Sequence, residues 1–252
     1  MKITDKITIT NEDNMELMAR YPDKYFDLAI VDLEFCIGAS KPSVKPNIVK
    51  QKNGKTLSVK APNYIGKDWD FQMSSPEYFT ELFRVSKNQI IKGGNYYGLP
   101  GGYLTWVKLN GTSDQFDSEL IWTSFSERTD VFYYMWAGMM QGEYCGKELK
   151  KALVQRGNKK LNEERIHPTQ TPVPVCKYYL KEFAKEGYKI LDTHSGSASL
   201  AIACFDFGFE LTACELDGDY YNDSIKRIKN HVANNQSLFA PEELLTAKLE
   251  LF

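Results

Sequence analysis

The run Leu191-Asp192-Thr193-His194-Ser195-Gly196-Ser197-Ala198-Ser199 sets an acid at the end of an apolar segment and small residues behind it. Small side chains let a ligand approach the backbone, and a helix opening there offers unpaired N–H groups. About twenty residues on, a second apolar segment ends in Cys214-Glu215-Leu216-Asp217, where a carboxylate can accept hydrogen bonds from ribose hydroxyls. In the first part of the chain, Phe26-Asp27-Leu28-Ala29-Ile30-Val31 runs into Asp32, then Leu33-Glu34-Phe35. A carboxylate at the carboxyl edge of an α/β sheet lies where ligands of open α/β folds bind. Plainer readings exist for both: an ordinary strand-to-helix turn, and a helix-capping aspartate beside a core phenylalanine. A nicotinamide-binding domain would share the acid-and-loop logic. Its G-x-G-x-x-G is missing, however: Ala198 stands at the second glycine and no pyrophosphate loop is evident.

Between these blocks lies Arg165-Ile166-His167-Pro168-Thr169-Gln170-Thr171-Pro172-Val173. The order of the three blocks resembles the beta group of amino-methyltransferases acting on DNA, which read D-P-P-Y, then H-P-T-Q-K-P, then D-x-x-x-G-S-G. The resemblance runs from Lys6 through Ile228. It implies a Rossmann-like methyltransferase fold and S-adenosylmethionine as cofactor. The last two blocks would hold that cofactor through His167, Thr169, Gln170, Asp192, His194, Ser195, Gly196, Ser197 and Glu215.

Methyl transfer to an exocyclic amine needs neither a nucleophilic side chain nor a metal. The amine lone pair is delocalised into the ring, and acceptors for both N–H bonds favour a pyramidal nitrogen facing the methyl group; the rest is alignment. The resemblance implies Asp32 as the carboxylate acceptor, the Leu33 carbonyl as the second, and Phe35 stacked on a base flipped from double-stranded DNA. The expected target is the N6 amine of adenine, with the N4 amine of cytosine as a variant that needs the same acceptors.

Several positions depart from the pattern. Leu33 and Glu34 replace two prolines, Thr171 replaces the lysine of H-P-T-Q-K-P, and Trp106-Val107-Lys108 stands where relatives often read W-D-K. Proline fixes φ and shapes its predecessor, so the turn that aims the acceptor carbonyl is expected to be freer. Glu34 adds a carboxylate near Asp32, and two neighbouring carboxylates can share a proton. These changes lead to the expectation of slow turnover, or of a DNA-binding module without chemistry.

The elements that must position these residues follow an α/β pattern. Lys6–Thr10 alternates, Asn14–Tyr21 has helical spacing, and the continuous apolar run 26–31 suits a strand buried on both faces. Ser75-Pro76 reads as an N-cap with proline at the first helical position. Strands are expected at Asn88–Lys92, Tyr103–Val107, Glu119–Thr123 and Val131–Met135. Then come a helix after Thr171, a strand at Tyr188–Leu191, a helix, a strand at Glu210–Cys214 and a final helix. The expected architecture is a single domain over 1–252, with a mostly parallel central sheet and helices on both faces.

Two insertions are basic, 39–67 and 141–165. The first has no periodicity and no acid and reads as one long loop; the second concentrates its charge from Lys147 to Arg165. Lys41, Lys45, Lys50, Lys52, Lys55, Lys60, Lys159 and Lys160 are the expected phosphate contacts, since lysine neutralises backbone charge without reading sequence. Tyr64 and Trp69 could wedge into a base stack, and Tyr96, Tyr97 and Tyr103 could line a base pocket or pack the core. The terminal Lys248-Leu249-Glu250-Leu251-Phe252 resembles peptides that dock on sliding clamps, though an apolar tail tucked on the domain is the commoner case.

The chain has 252 residues, 42% of them hydrophobic and 25% charged, as in an ordinary globular protein. Five cysteines, none spaced C-x-x-C, and the lack of a secretion signal or of an apolar run of about 20 residues point to a reduced, cytoplasmic protein without a membrane span. His194 and His231 have no acid or cysteine at metal-ligand spacing, so no metal site is expected.

Overall fold

The computed structural model describes residues 1–35, 47–50, 56–59, 73–111, 116–137 and 140–237, with the backbone alone at 47–50, 56–59 and 236–237. The elements in chain order are β1 (Ile7–Asn11), α1 (Asn14–Ala19), β2 (Phe26–Asp32), β3 (Asn47–Lys50), β4 (Thr56–Val59), α2 (Pro76–Val85), β5 (Ser86–Lys92), β6 (Gly102–Val107), β7 (Ser118–Thr123) and β8 (Asp130–Tyr133). They continue with β9 (Trp136–Ala137), β10 (Met140–Gln141), α3 (Leu149–Ala152), α4 (Val173–Phe183), β11 (Lys189–Asp192), α5 (Ser199–Phe207), β12 (Glu210–Glu215) and α6 (Gly218–Ser237). Short 3-10 turns lie at Gly94–Tyr97 and Lys159–Leu161.

Eight strands form one sheet in the order β1-β12-β11-β2-β5-β7-β6-β8. The first five run parallel; β7 is antiparallel to both β5 and β6, and β6 runs parallel to β8. The expected mostly parallel Rossmann-like sheet is therefore present. Within 39–67 the structure differs from a plain loop, because β3 and β4 pair antiparallel from Asn47↔Val59 to Lys50↔Thr56.

Both faces of the sheet are covered. On β2, Leu28 and Ile30 join a core built with α4, α5 and α6, while Ala29 and Val31 join a second core with α1 and α2. Alternate residues of one apolar run thus serve opposite cores, as a doubly covered strand requires. Helix α2 begins where Ser75 Oγ accepts the Tyr78 N–H at 3.4 Å and Pro76 opens the first turn. Its Tyr78, Leu82 and Val85 are buried at helical spacing, which seats the helix on β2 and β5. Truncating Leu82, which is fully buried, removes packing worth about 2–5 kcal/mol.

Candidate active site

Parallel strands bring their carboxyl ends to one edge, and here those ends are Asn11, Glu215, Asp192, Asp32 and Lys92, in lateral order. A cavity of about 550 Å³ opens along this edge. All nine residues assigned to the cofactor line it, as do Asp32 and Leu33. Phe35 stands outside that lining.

On the cofactor side the carboxylates are held by backbone. Asp192 Oδ1 accepts the His194 N–H at 3.0 Å. Burial pushes its acid up to about 8, with the charges of Glu215 and Asp32 adding to the effect. Glu215 accepts the Gly196 N–H at 2.8 Å through Oε2 and the Asp217 N–H at 3.0 Å through Oε1. Burial raises its acid as well, against the pull of those two N–H groups. The loop turns through Gly196 and then Ala198, whose φ of 60° is unusual for a residue with a Cβ. Ala198 gives α5 no side-chain cap, so the first N–H groups of that helix face the loop without a capping oxygen.

The H-P-T-Q segment divides in two. His167 accepts the Thr169 N–H at 3.3 Å, and its ring packs on Tyr220 at 4.3 Å on the cavity wall. Gln170 lines the cavity, yet its carboxamide serves its own loop: it donates to Glu163 at 2.7 Å and the Glu164 carbonyl at 3.0 Å, and accepts the Ile166 N–H at 3.0 Å. It therefore positions the segment. Glu163 also accepts the Val173 N–H at 3.0 Å, capping α4, and pairs with Arg227 at 2.6 Å. Arg227 in turn donates to the Ser197 carbonyl at 2.6 Å. Sequence reasoning missed Glu163, Arg227 and Tyr220; no short motif marks them.

The catalytic side is held by side chains. Asp32 Oδ2 accepts from Lys92 Nζ at 2.8 Å and from Thr171 Oγ1 at 2.7 Å. Lys92, only 5% exposed along its side chain, also reaches Thr171 at 2.7 Å and Glu119 at 2.8 Å. Glu119 pairs further with Lys108. Burial alone would lower the Lys92 ammonium's pKa, but Asp32 and Glu119 outweigh it and raise the group above the usual lysine range. Glu119 is shifted down by Lys92 and Lys108 despite its burial.

Glu34 has partners of its own, different from those of Asp32. Its carboxylate accepts from Ser74 Oγ at 3.1 Å and lies 3.4 Å from His194 Nε2, and its carbonyl accepts from Tyr97 Oη at 2.9 Å. Leu33 N–H donates to the Lys92 carbonyl at 3.4 Å. The turn without prolines is thus held by hydrogen bonds on both sides, where the loss of proline led to the expectation of a freer one. Phe35 stacks on half-exposed Tyr96 with centroids 5.0 Å apart. Gly93, at φ 78°, lets that ring in: a Cβ there would stand 2.2 Å from Phe35 Cε1. Tyr103 instead donates to the Leu99 carbonyl at 2.6 Å.

Lys159 and Lys160 are exposed on their 3-10 turn. Lys41, Lys45, Lys52, Lys55, Lys60, Tyr64, Trp69 and the tail 248–252 lie outside the described residues, and Lys50 is described in backbone only. His194 and His231 each have one carboxylate partner, Glu34 and Asp206, and no metal-holding cluster occurs among the described residues. No described helix is long and apolar enough to cross a membrane.

A doubly covered parallel sheet with acids and an open-backed loop at its carboxyl edge is the frame of an α/β domain that takes a nucleoside-bearing ligand. The chain belongs to the N6/N4 family of DNA methylases: the family model, described as DNA methylase, matches residues 1–226. S-adenosylmethionine is the cofactor of that family, as the resemblance in the sequence implied. Among solved structures, the M1.HpyAVI–SAM complex aligns at a TM-score of 0.50 and 13% identity, covering 87% of this chain and 98% of the other. The cytosine-N4-specific PvuII DNA methyltransferase aligns at 0.50 and 12%, covering 92% and 94%. At such identities the likeness is one of fold. No curated protein sequence matches the chain.

The residues present suit this cofactor. Ser195 Oγ is buried without a hydrogen-bond partner among the described residues and lies on the cavity wall, which is an orphan that a polar ligand would satisfy. Asp192, buried, and Glu215, partly buried, line the same wall and match a ligand that carries an ammonium group and ribose hydroxyls.

Proposed function

We propose that this chain transfers the methyl group of S-adenosylmethionine to the N6 amine of an adenine flipped out of double-stranded DNA. The observation that carries the reading is the cavity that Asp32 shares with Asp192 and Glu215. The cofactor, when bound, supplies an electrophilic methyl on sulfur. Glu215 accepts from the ribose hydroxyls, and Asp192 with Ser195 takes the polar amino-acid end. His167 and Tyr220 form the side wall, with Thr169 beside them.

Asp32 spends Oδ2 on Lys92 and Thr171, which leaves Oδ1 for one amine N–H. The Leu33 carbonyl accepts the other. Two acceptors fixed before the base arrives cost no reorganisation at the moment of transfer. The Phe35–Tyr96 pair offers an aromatic face for the extruded base, and the wide purine ring covers more of such a face than a pyrimidine does. Lys50, Lys52 and Lys55, with Lys159 and Lys160, neutralise the phosphates. Replacing the first three by alanine should flatten the log–log salt dependence of affinity by about 0.9 for each phosphate no longer neutralised.

The deciding experiment incubates the protein with methyl-labelled cofactor and mixed-sequence duplex, then digests the DNA to nucleosides. Label in N6-methyladenine is the expected result. Label in N4-methylcytosine would assign the other amine, and cofactor binding with no label would leave a binding module.

A further inference from the structure

The lysine of the H-P-T-Q-K-P block is Thr171 here, yet an ammonium from another strand lies against that residue. Lys92, at the end of β5, reaches across to Thr171 Oγ1 at 2.7 Å and to Asp32 Oδ2 at 2.8 Å, while Thr171 itself donates to the same Asp32 oxygen at 2.7 Å. Glu119 Oε2 stands 2.8 Å from the same ammonium as an ion-pair contact, so two hydrogen bonds and two carboxylates surround it. Asp32 Oδ2 on β2, Lys92 Nζ on β5 and Thr171 Oγ1 before α4 thus form one closed triangle of hydrogen bonds.

We infer that Lys92 is the positioning residue of the acceptor carboxylate, and that it takes over from β5 the place that the H-P-T-Q-K-P lysine would fill from position 171. This inference deepens the methyltransferase reading and rests on it for its effect on rate. The charge balance carries the argument. Asp32 and Glu119 contribute two negative charges, Lys92 and Lys108 two positive ones, linked in a row in which Lys92 and Lys108 are buried and the Glu119 side chain is 10% exposed. Such a row tolerates neither a missing nor an extra charge, because an unpaired ion in a low-dielectric site keeps its desolvation cost. A lysine at 171 beside Lys92 would leave one positive charge in excess, and loss of Lys92 would leave one negative charge in excess. Only one of the two positions can hold the cation.

The same geometry says what Lys92 does for Asp32. It occupies Oδ2 and, with Thr171, fixes the rotation of the carboxyl group, so that Oδ1 is the oxygen left to meet an amine. Thr171 is the small partner that makes this possible, since its hydroxyl both accepts from Lys92 and donates to Asp32.

Three variants test the inference: Lys92→Met, Thr171→Lys, and both together. Melting temperature is read without DNA or cofactor, cofactor affinity by calorimetry, and methyl transfer in single-turnover assays on duplex DNA. Lys92→Met should lower the melting temperature by about 10 °C and the transfer rate by about a hundredfold, with cofactor affinity unchanged. Thr171→Lys alone should also destabilise. The double variant should melt above both singles and regain at least about tenfold in rate over Lys92→Met. Lys92→Met that melts and turns over like the parent would overturn the inference, as would a double variant that melts no higher than either single. If the parent transfers no methyl group, the methyltransferase reading fails, while the melting series still decides which position neutralises Asp32.

Discussion

One cavity is served by two kinds of scaffolding. At its cofactor end, Asp192 and Glu215 are fixed by backbone N–H groups of His194, Gly196 and Asp217. At its catalytic end, Asp32 is fixed by the side chains of Lys92 and Thr171, and the neighbouring turn by Ser74, His194 and Tyr97. A bond from the backbone depends on the path of the loop and survives changes of side chain. A bond from a side chain lasts only while its partner residue stays. The departures from the D-P-P-Y and H-P-T-Q-K-P patterns fall at the catalytic end, and there replacement partners are visible.

The largest effect is expected where the comparison is sharpest. Asp32→Ala should lower single-turnover methyl transfer by about 10²–10³-fold, the scale of losing one preorganised partner of a reacting group. Cofactor affinity should stay at the parent value, and Asp32→Asn, similar in shape, controls for folding. A rate within about tenfold of the parent would place the acceptor elsewhere.

At the other end, Glu215→Ala should leave the rate at saturating cofactor alone and weaken S-adenosylmethionine binding. Charge-assisted hydrogen bonds are worth about 1.5–3 kcal/mol, so the dissociation constant should rise by roughly ten- to a hundredfold. Calorimetry with NAD should give no heat in either protein. Tight NAD binding without binding of the methyl donor would reverse the cofactor assignment.

A third substitution asks whether the hydrogen-bonded turn is as good as a proline-bound one. Leu33→Pro deletes the N–H that meets the Lys92 carbonyl, and Glu34→Pro deletes the carboxylate that Ser74 and His194 hold. The pair should slow transfer by about tenfold, because misplacement by a fraction of an ångström is already costly in catalysis by alignment. A faster double variant would show that freedom of φ does limit this enzyme.

The last effect is on stability rather than rate and concerns pH. The Asp192 acid, near 8 in the folded protein, lies above its ordinary value of 3.8. Its contribution to stability is complete below about pH 4 and is lost as pH rises through 8, by at most ~1.4 kcal/mol per pH unit. Asp192→Asn should therefore flatten the fall in melting temperature of the cofactor-free protein between about pH 5 and 8. An unchanged profile would mean that Asp192 is already ionised in the fold.

Much of this was legible in sequence because the signals are local. The run 26–31 announces a strand buried on both faces, Ser75-Pro76 announces α2, and Asp192 through Glu215 announces strand, loop, helix and strand within one stretch. The partners of Asp32 were not legible. Lys92 looks like the last residue of an apolar strand and Glu119 like the first polar residue of another; only the order of strands in the sheet brings them together. Gln170 shows a different limit, since a motif gives a residue type but not the direction in which its carboxamide points. The hairpin of β3 and β4 did leave a signal, Asn53-Gly54 between two short alternating segments, hidden by the density of lysine around it.

The strand order also sets a timetable for synthesis. Strand β2, which ends in Asp32, is made early and pairs with β5 soon afterwards, but its other neighbour is β11. Strand β1 waits longer still, because its partner is β12, near the end of the fold. Until that last third leaves the ribosome, one edge of β2 has no strand beside it, and β1 has nothing to dock on. Exposed strand edges invite association with other chains. Nascent chains halted before about residue 190 should therefore seek chaperones, and the two halves of the cavity meet only when synthesis is nearly finished.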